Sequence, residues 1–276
     1  MNRFTVYVCL LALTLFAAAP QVKADLIALE DGNSAVGIDP GTSAGMYSWA
    51  VDGTSQLYQQ WFWYRVGDAG GQSAINTLST PTVTLSDTNG DGKNDVANLK
   101  YSNSAFEILV KYSLHGGPAG SLQSDVGEQI QINNLSSRAI DNFHFFQYSD
   151  FDLNGVPGGQ TAQFLAPGKF QQSGEGITLS ETVVTPDPSR HEAGTYADTF
   201  NALQGGTTYN LNNNDVATGD ATWAFQWDFN LAAVGTAGSS FAISKDKLLS
   251  PTVPEPASIL LMGGILLVVA RKFRKA

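Results

Sequence analysis

The stretch TWAFQWDFNL, Thr222–Leu231, alternates without a break. Trp223, Phe225, Trp227, Phe229 and Leu231 share one side, and Ala224, Gln226, Asp228 and Asn230 share the other. A period of two places every second side chain on the same face of an extended strand, and a face carrying this many bulky apolar groups must be buried. The same pattern recurs outward in both directions. Further strands are expected at Met46 to Val51, Gln56 to Val66, Thr82 to Ser86, Val96 to Ser102, Phe106 to Leu114, Glu128 to Asn133, Ala139 to Phe151, Thr161 to Leu165, Gly176 to Val184 and Ser240 to Lys245. Trp61-Phe62-Trp63-Tyr64 is aromatic on both faces and therefore reads as a central, doubly covered strand. The runs are broken by Gly, Asn, Ser and Thr, as turns require. Ten to twelve strands at this spacing predict an all-β domain of the two-sheet sandwich or jelly-roll kind. One short helical stretch fits Tyr196 to Leu203, and the two-proline connection from Pro186 to Thr195 reads as an exposed loop.

The two ends read differently from this body. Arg3, an apolar run from Val6 to Ala19 and the small-x-Ala triplet Val22-Lys23-Ala24 form a signal peptide over residues 1–24, which is expected to be cut by signal peptidase before Asp25. The β domain then occupies residues 25–248 and a tail residues 249–276. In the tail, Pro254-Glu255-Pro256 precedes an apolar stretch over 257–270 and the basic end Arg271-Lys272-Phe273-Arg274-Lys275. Fourteen helical residues reach about 21 Å. That is a marginal transmembrane helix unless flanking cations snorkel to the lipid surface. The positive end is expected to stay cytoplasmic, which places the β domain outside.

The whole chain holds 15 Lys and Arg against 25 Asp and Glu, a net charge of −10. Six of those cations (Arg3, Lys23, Arg271, Lys272, Arg274, Lys275) lie in the two ends, so the body is more acidic than the average. Such a surface repels nucleic acid. The only cysteine, Cys9, falls in the leader, which leaves the exported part without thiol or disulfide chemistry.

The tail resembles the PEP-CTERM sorting signal of exosortase substrates: the Pro-Glu-Pro triplet, a short apolar helix and a basic end, all at the terminus. The resemblance implies recognition by a membrane-embedded exosortase through Pro254, Glu255, Pro256 and the region of Arg271. The protein would be tethered to the inner membrane in transit, then released to the cell surface or the exterior of a Gram-negative cell that makes an exopolysaccharide. The body is similar to a group of exported PEP-CTERM proteins through Asp87–Gly92, Phe145–Leu153, Thr222–Asp228 and Ile243–Lys247; that likeness supplies no activity.

Few residues suggest chemistry. Asp87, Asn89, Asp91 and Asp95 place oxygen donors at loop positions 1, 3, 5 and 9, with Gly92 at position 6 and the Lys93 carbonyl at position 7. That is the order in which a chain wraps Ca²⁺ in a structural site, although position 12 is Asn98 rather than Glu. A hairpin turn rich in Asp, Asn and Gly has the same composition. Asp150 and Asp152 point to one face of a strand end and could do acid/base work, hold a metal or touch a sugar. Gly41-Thr42-Ser43-Ala44-Gly45 fits a nucleophile elbow by letter but lacks the strand-turn-helix setting. His115, His144 and His191 are too scattered for zinc. Trp61, Trp63, Trp223 and Trp227 read as core, and Trp49 as the tryptophan freest to meet a sugar. With no catalytic constellation recognised, the expectation is a non-enzymatic envelope or matrix protein of open molecular role. A lectin-like exopolysaccharide-binding module is the alternative, ahead of a polysaccharide-active enzyme.

Overall fold

The computed structural model describes residues 25–252. The signal-peptide reading, Pro254, Glu255, Pro256, the apolar helix and Arg271 lie outside them. Among the described residues, no helix is long and apolar enough to cross a membrane.

Eighteen strands form in chain order. The first six are β1 (Ile27–Asp31), β2 (Ser34–Asp39), β3 (Gly45–Val51), β4 (Thr54–Ser55), β5 (Gln59–Val66) and β6 (Ser73–Ala74). Next come β7 (Thr82–Ser86), β8 (Val96–Ser102), β9 (Phe106–Gly116), β10 (Ser124–Asn134), β11 (Ile140–Asp150) and β12 (Gln160–Ala166). The last are β13 (Lys169–Gly174), β14 (Ile177–Thr185), β15 (Arg190–Thr195), β16 (Val216–Gly219), β17 (Ala221–Leu231) and β18 (Ser240–Pro251), with helix α1 at Asp198–Gln204. They make two nine-stranded sheets packed as a sandwich. One runs β1-β2-β3-β5-β11-β17-β15, with β4 on β3 and β6 on β5; the other runs β16-β12-β13-β14-β18-β10-β9-β8-β7.

The expected all-β sandwich is present, with more strands than the alternation reveals. β1, β2, β13, β15 and β16 are only four to six residues long, and pairing with neighbouring strands selects them where the local pattern is too short to do so. Of the connection expected as an exposed loop from Pro186 to Thr195, Arg190–Thr195 is instead the edge strand β15, paired with β17 from Arg190↔Gln226 to Thr195↔Ala221. Its Glu192 and Ala193 are buried.

The inner face of the first sheet carries Phe62, Tyr64, Phe143, Phe145, Trp223, Phe225 and Trp227, which meet the second sheet through contacts such as Phe170 on Trp223 and Phe229 on Phe241. β5, β11 and β17 are buried on their outer face too. There α1 and the chain up to Leu211 form a partial third layer: Phe200 packs edge-on against Trp63, and Gln226 accepts the Leu211 N–H at 2.9 Å. This cover explains why the sequence is aromatic on both sides of those strands.

The second sheet carries a charged cluster in the core. Glu181 on β14, Lys245 and Lys247 on β18 and Glu128 on β10 are each no more than 2% exposed. They sit across adjacent strands, with Glu181 opposite Lys247 and Glu128 opposite Lys245. Both lysines pair with Glu128, and they reach Glu181 at 3.1 Å (Lys245) and 3.4 Å (Lys247). Glu181 also accepts hydrogen bonds from Gln147, Ser149 and Trp223 of the opposite sheet. Burial alone would raise its pKa; the two lysines and these donors reverse that and hold it below the usual carboxylate range.

Two expectations follow. Lys247→Met alone leaves a buried negative charge uncompensated and should cost about 3–5 kcal/mol. Combining it with Glu128→Gln restores neutrality and should recover part of the loss, read from denaturant midpoints. A Cβ on Gly116 would lie 1.8 Å from the Asp31 carbonyl oxygen, where the β1 turn crosses the end of β9. Gly116→Ala should therefore destabilise by about 1–3 kcal/mol through overpacking, measured the same way.

Candidate functional site

Four neighbouring strands of the first sheet, β5, β11, β17 and β15, bring five residues to one end of that sheet. Asp150 ends β11, and Asp152 follows it. Asp220 immediately precedes β17. Tyr58 immediately precedes β5, and Tyr196 immediately follows β15. Antiparallel pairing makes these ends coincide. Backbone hydrogen bonds fasten them: the Tyr58 N–H donates to the Asp150 carbonyl at 3.0 Å, and the Tyr196 N–H to the Asp220 carbonyl at 2.9 Å. With Pro157 these residues line a cavity of about 290 Å³.

Inside it, one carboxylate oxygen from each of Asp150, Asp152 and Asp220 lies within 4.8 Å of the other two. Among the described residues no other group of three acidic, His or Cys side chains gathers so closely. Asp150 is 1% exposed. Its Oδ2 accepts a 3.3 Å hydrogen bond from the Tyr148 hydroxyl, while its buried Oδ1 has no partner. Burial first, then the charges of Asp152 and Asp220, push Asp150 up to about 7. Burial and Asp220 raise Asp152, and burial raises Asp220. An unfolded Asp titrates near 3.9, so Asp150 holds its proton more tightly when folded. Its ionisation therefore erodes stability as pH rises from about 4 to about 7, by something on the order of 4 kcal/mol. The rim is aromatic: Tyr58 and Tyr196 are 52% and 45% exposed and meet edge-to-face at 5.6 Å.

A larger groove of about 590 Å³ crosses the outer face of the second sheet, between Thr84, Lys100, Lys111 and Gln131. No carboxylate, histidine or aromatic ring lines it.

The other residues singled out in the sequence lie apart. In the Asp87–Asp95 loop, each acidic side chain accepts hydrogen bonds from the loop's own chain. Asp87 takes the N–H groups of Gly90 and Gly92, and Asn89 and Asp91 take those two residues onward. Asp95 takes Thr88 through both its N–H and its hydroxyl. Lys93 extends its ammonium to Glu30 at 2.7 Å. Ser43 sits in the turn before β3, where its carbonyl accepts from Gln59. His144 pairs with Asp228 at 2.6 Å, His191 pairs with Asp215 at 2.7 Å and stacks on Phe164, and His115 faces Asp125 at 3.7 Å.

Trp49 was expected to be the free tryptophan and is not. It is fully buried, donating to Ser124 at 3.1 Å and packed edge-on against Phe151. The exposed rings at the pocket are tyrosines. Asp220, Tyr58 and Tyr196 escaped the sequence reading because only the pairing of four strands joins them to Asp150.

No family model matches the chain, and no curated protein does. Among solved structures the chain is similar to a bacterial glucoamylase complexed with acarbose, at 8% identity and a TM-score of 0.59, covering 90% of this chain and 36% of that one. It also aligns with a family GH92 α-mannosidase from Bacteroides thetaiotaomicron, at 7% identity and a TM-score of 0.41, covering 82% and 31%. A copper-containing benzylamine oxidase from Hansenula polymorpha gives 8% identity and a TM-score of 0.43, covering 89% and 63%. The chain thus spans about a third of the glucoamylase's length, and at this identity the likeness is one of fold.

Proposed function

We propose that this is an exported, non-enzymatic protein of the envelope or extracellular matrix, sorted by exosortase through Pro254-Glu255-Pro256, whose β domain binds exopolysaccharide. The observation that carries the binding role is the pair of exposed tyrosines, Tyr58 and Tyr196, over a pocket of carboxylates. A sugar ring presents an apolar C–H face and a rim of hydroxyls. The first suits an aromatic ring, and the second donates well to carboxylate oxygens, where charge-assisted bonds are the strong ones.

The three aspartates each offer one oxygen within 4.8 Å of the other two, close enough for a single bound group to meet all three.

Export is checked by intact-mass analysis of the protein from its native host, which should show a chain beginning at Asp25. An uncut chain in the cytosol would overturn the export reading. Binding is checked by passing the protein over immobilised exopolysaccharide of the producing organism. The wild type should be retained, and Tyr58→Ala/Tyr196→Ala should elute early. Both positions are exposed, so the double variant should keep its stability to within about 1 kcal/mol. Equal retention of both proteins would remove the tyrosines from the role, and release of reducing sugar would overturn the non-enzymatic part.

A further inference from the structure

We propose that Asp150, Asp152 and Asp220 form a binding site for a hard divalent cation of the calcium class. The inference rests on the same pocket as the glycan reading, but the two can fail separately.

Three features point to a cation rather than to an ordinary acidic surface. The first is spacing. Calcium holds oxygens at about 2.4 Å, so two ligands on opposite sides of one ion are at most about 4.8 Å apart. The three carboxylate oxygens lie within 4.8 Å of one another. The second is the orphaned Oδ1 of Asp150, an acceptor on a side chain only 1% exposed, with no donor. Buried carboxylate oxygens are normally satisfied. A water molecule could donate to this one, but it would leave the mutual repulsion of three acids in place, whereas a cation answers both needs. The third is the absence of a protein counter-charge: among the described residues no Lys, Arg or His forms an ion pair with Asp150, Asp152 or Asp220, whose carboxylates meet one another instead.

The donors are all oxygen, with neither His nor Cys, which selects Ca²⁺ or Mg²⁺ over zinc and copper. Three aspartates from a strand end and two connections give irregular geometry. Calcium tolerates this, whereas Mg²⁺ demands near-ideal octahedral coordination. The open side of the cavity leaves room for the remaining ligands, which water or vicinal sugar hydroxyls would supply.

The test uses the full chain purified in mild detergent, stripped with chelator and returned to CaCl₂ or MgCl₂ at up to about 5 mM, the range of extracellular weak sites. Calcium should raise the melting temperature more than magnesium does. The rise should be larger at pH about 8 than at pH about 5, because the ligands must be deprotonated. Asp152→Asn/Asp220→Asn should raise the half-saturating calcium at least about tenfold, while Asp87→Asn/Asp91→Asn should leave it unchanged. Should the first pair not fold, Asp220→Asn alone must weaken calcium binding in equilibrium dialysis.

No calcium response, or one that survives in the triad variant and vanishes in the loop variant, overturns the inference. A normal calcium response without retention on the polysaccharide removes the glycan reading alone. Retention on the polysaccharide by a protein whose melting temperature does not respond to calcium removes the cation alone.

Discussion

The interaction on which the sandwich depends is the four-charge cluster of Glu128, Glu181, Lys245 and Lys247. An unpaired ion in a protein core carries a penalty of several kcal/mol, and a pair offsets it only when its geometry is good. Two strand pairings must be in register at once to bring Glu181 opposite Lys247 and Glu128 opposite Lys245. A slip of one residue on β18 would turn both lysines to the outer face and leave both glutamates without a counter-charge. Glu181 carries the constraint across the core, since Gln147, Ser149 and Trp223 of the opposite sheet donate to it. The cluster therefore fixes the register within one sheet and the placement of the other, a specificity that apolar side chains alone supply less sharply.

It also removes two of the chain's few cations from the surface. Lys93 and Lys100 are drawn to Glu30 and Glu107, and Arg65 is tied to Tyr209 and Asn210 in the cover of the first sheet. These five cations are thus committed away from the pocket of Asp150, Asp152 and Asp220. Three of the four strands that deliver its residues, β5, β11 and β17, are the doubly buried ones, and the fourth, β15, is the edge strand.

Legibility in the sequence followed local pattern. β7 and β8 begin and end where the alternation placed them, and β17 was plain from Trp223, Phe225 and Trp227. The last strand was expected only over Ser240 to Lys245, whereas β18 carries two lysines, Lys245 and Lys247, on its buried side. It runs on to Pro251 because Glu128 and Glu181 meet the charges, and those partners come from strands more than sixty residues away. Arg190–Thr195 failed for the same reason: its six residues carry little apolar pattern, and β17 makes it a strand. Of the candidate site, Asp150 and Asp152 were visible as a pair. Asp220, Tyr58 and Tyr196 were not, since no spacing along a chain encodes which strand ends meet. Trp49 misled because a tryptophan in a less regular run says nothing of the Ser124 hydroxyl waiting for its indole N–H.

The chemistry of the pocket joins the two proposals. Three carboxylates with no basic neighbour repel one another, and they would equally repel an anionic polysaccharide approaching Tyr58 and Tyr196. A bound divalent cation reverses that sign locally, offering its open coordination positions to sugar hydroxyls or carboxylates while the tyrosine rings take the C–H faces. Outside a cell, where calcium is abundant, such a site fills with only weak intrinsic affinity, by mass action. The buried half of Asp150 then becomes intelligible: its cost as a lone acid is the driving force that makes the pocket answer to the ion.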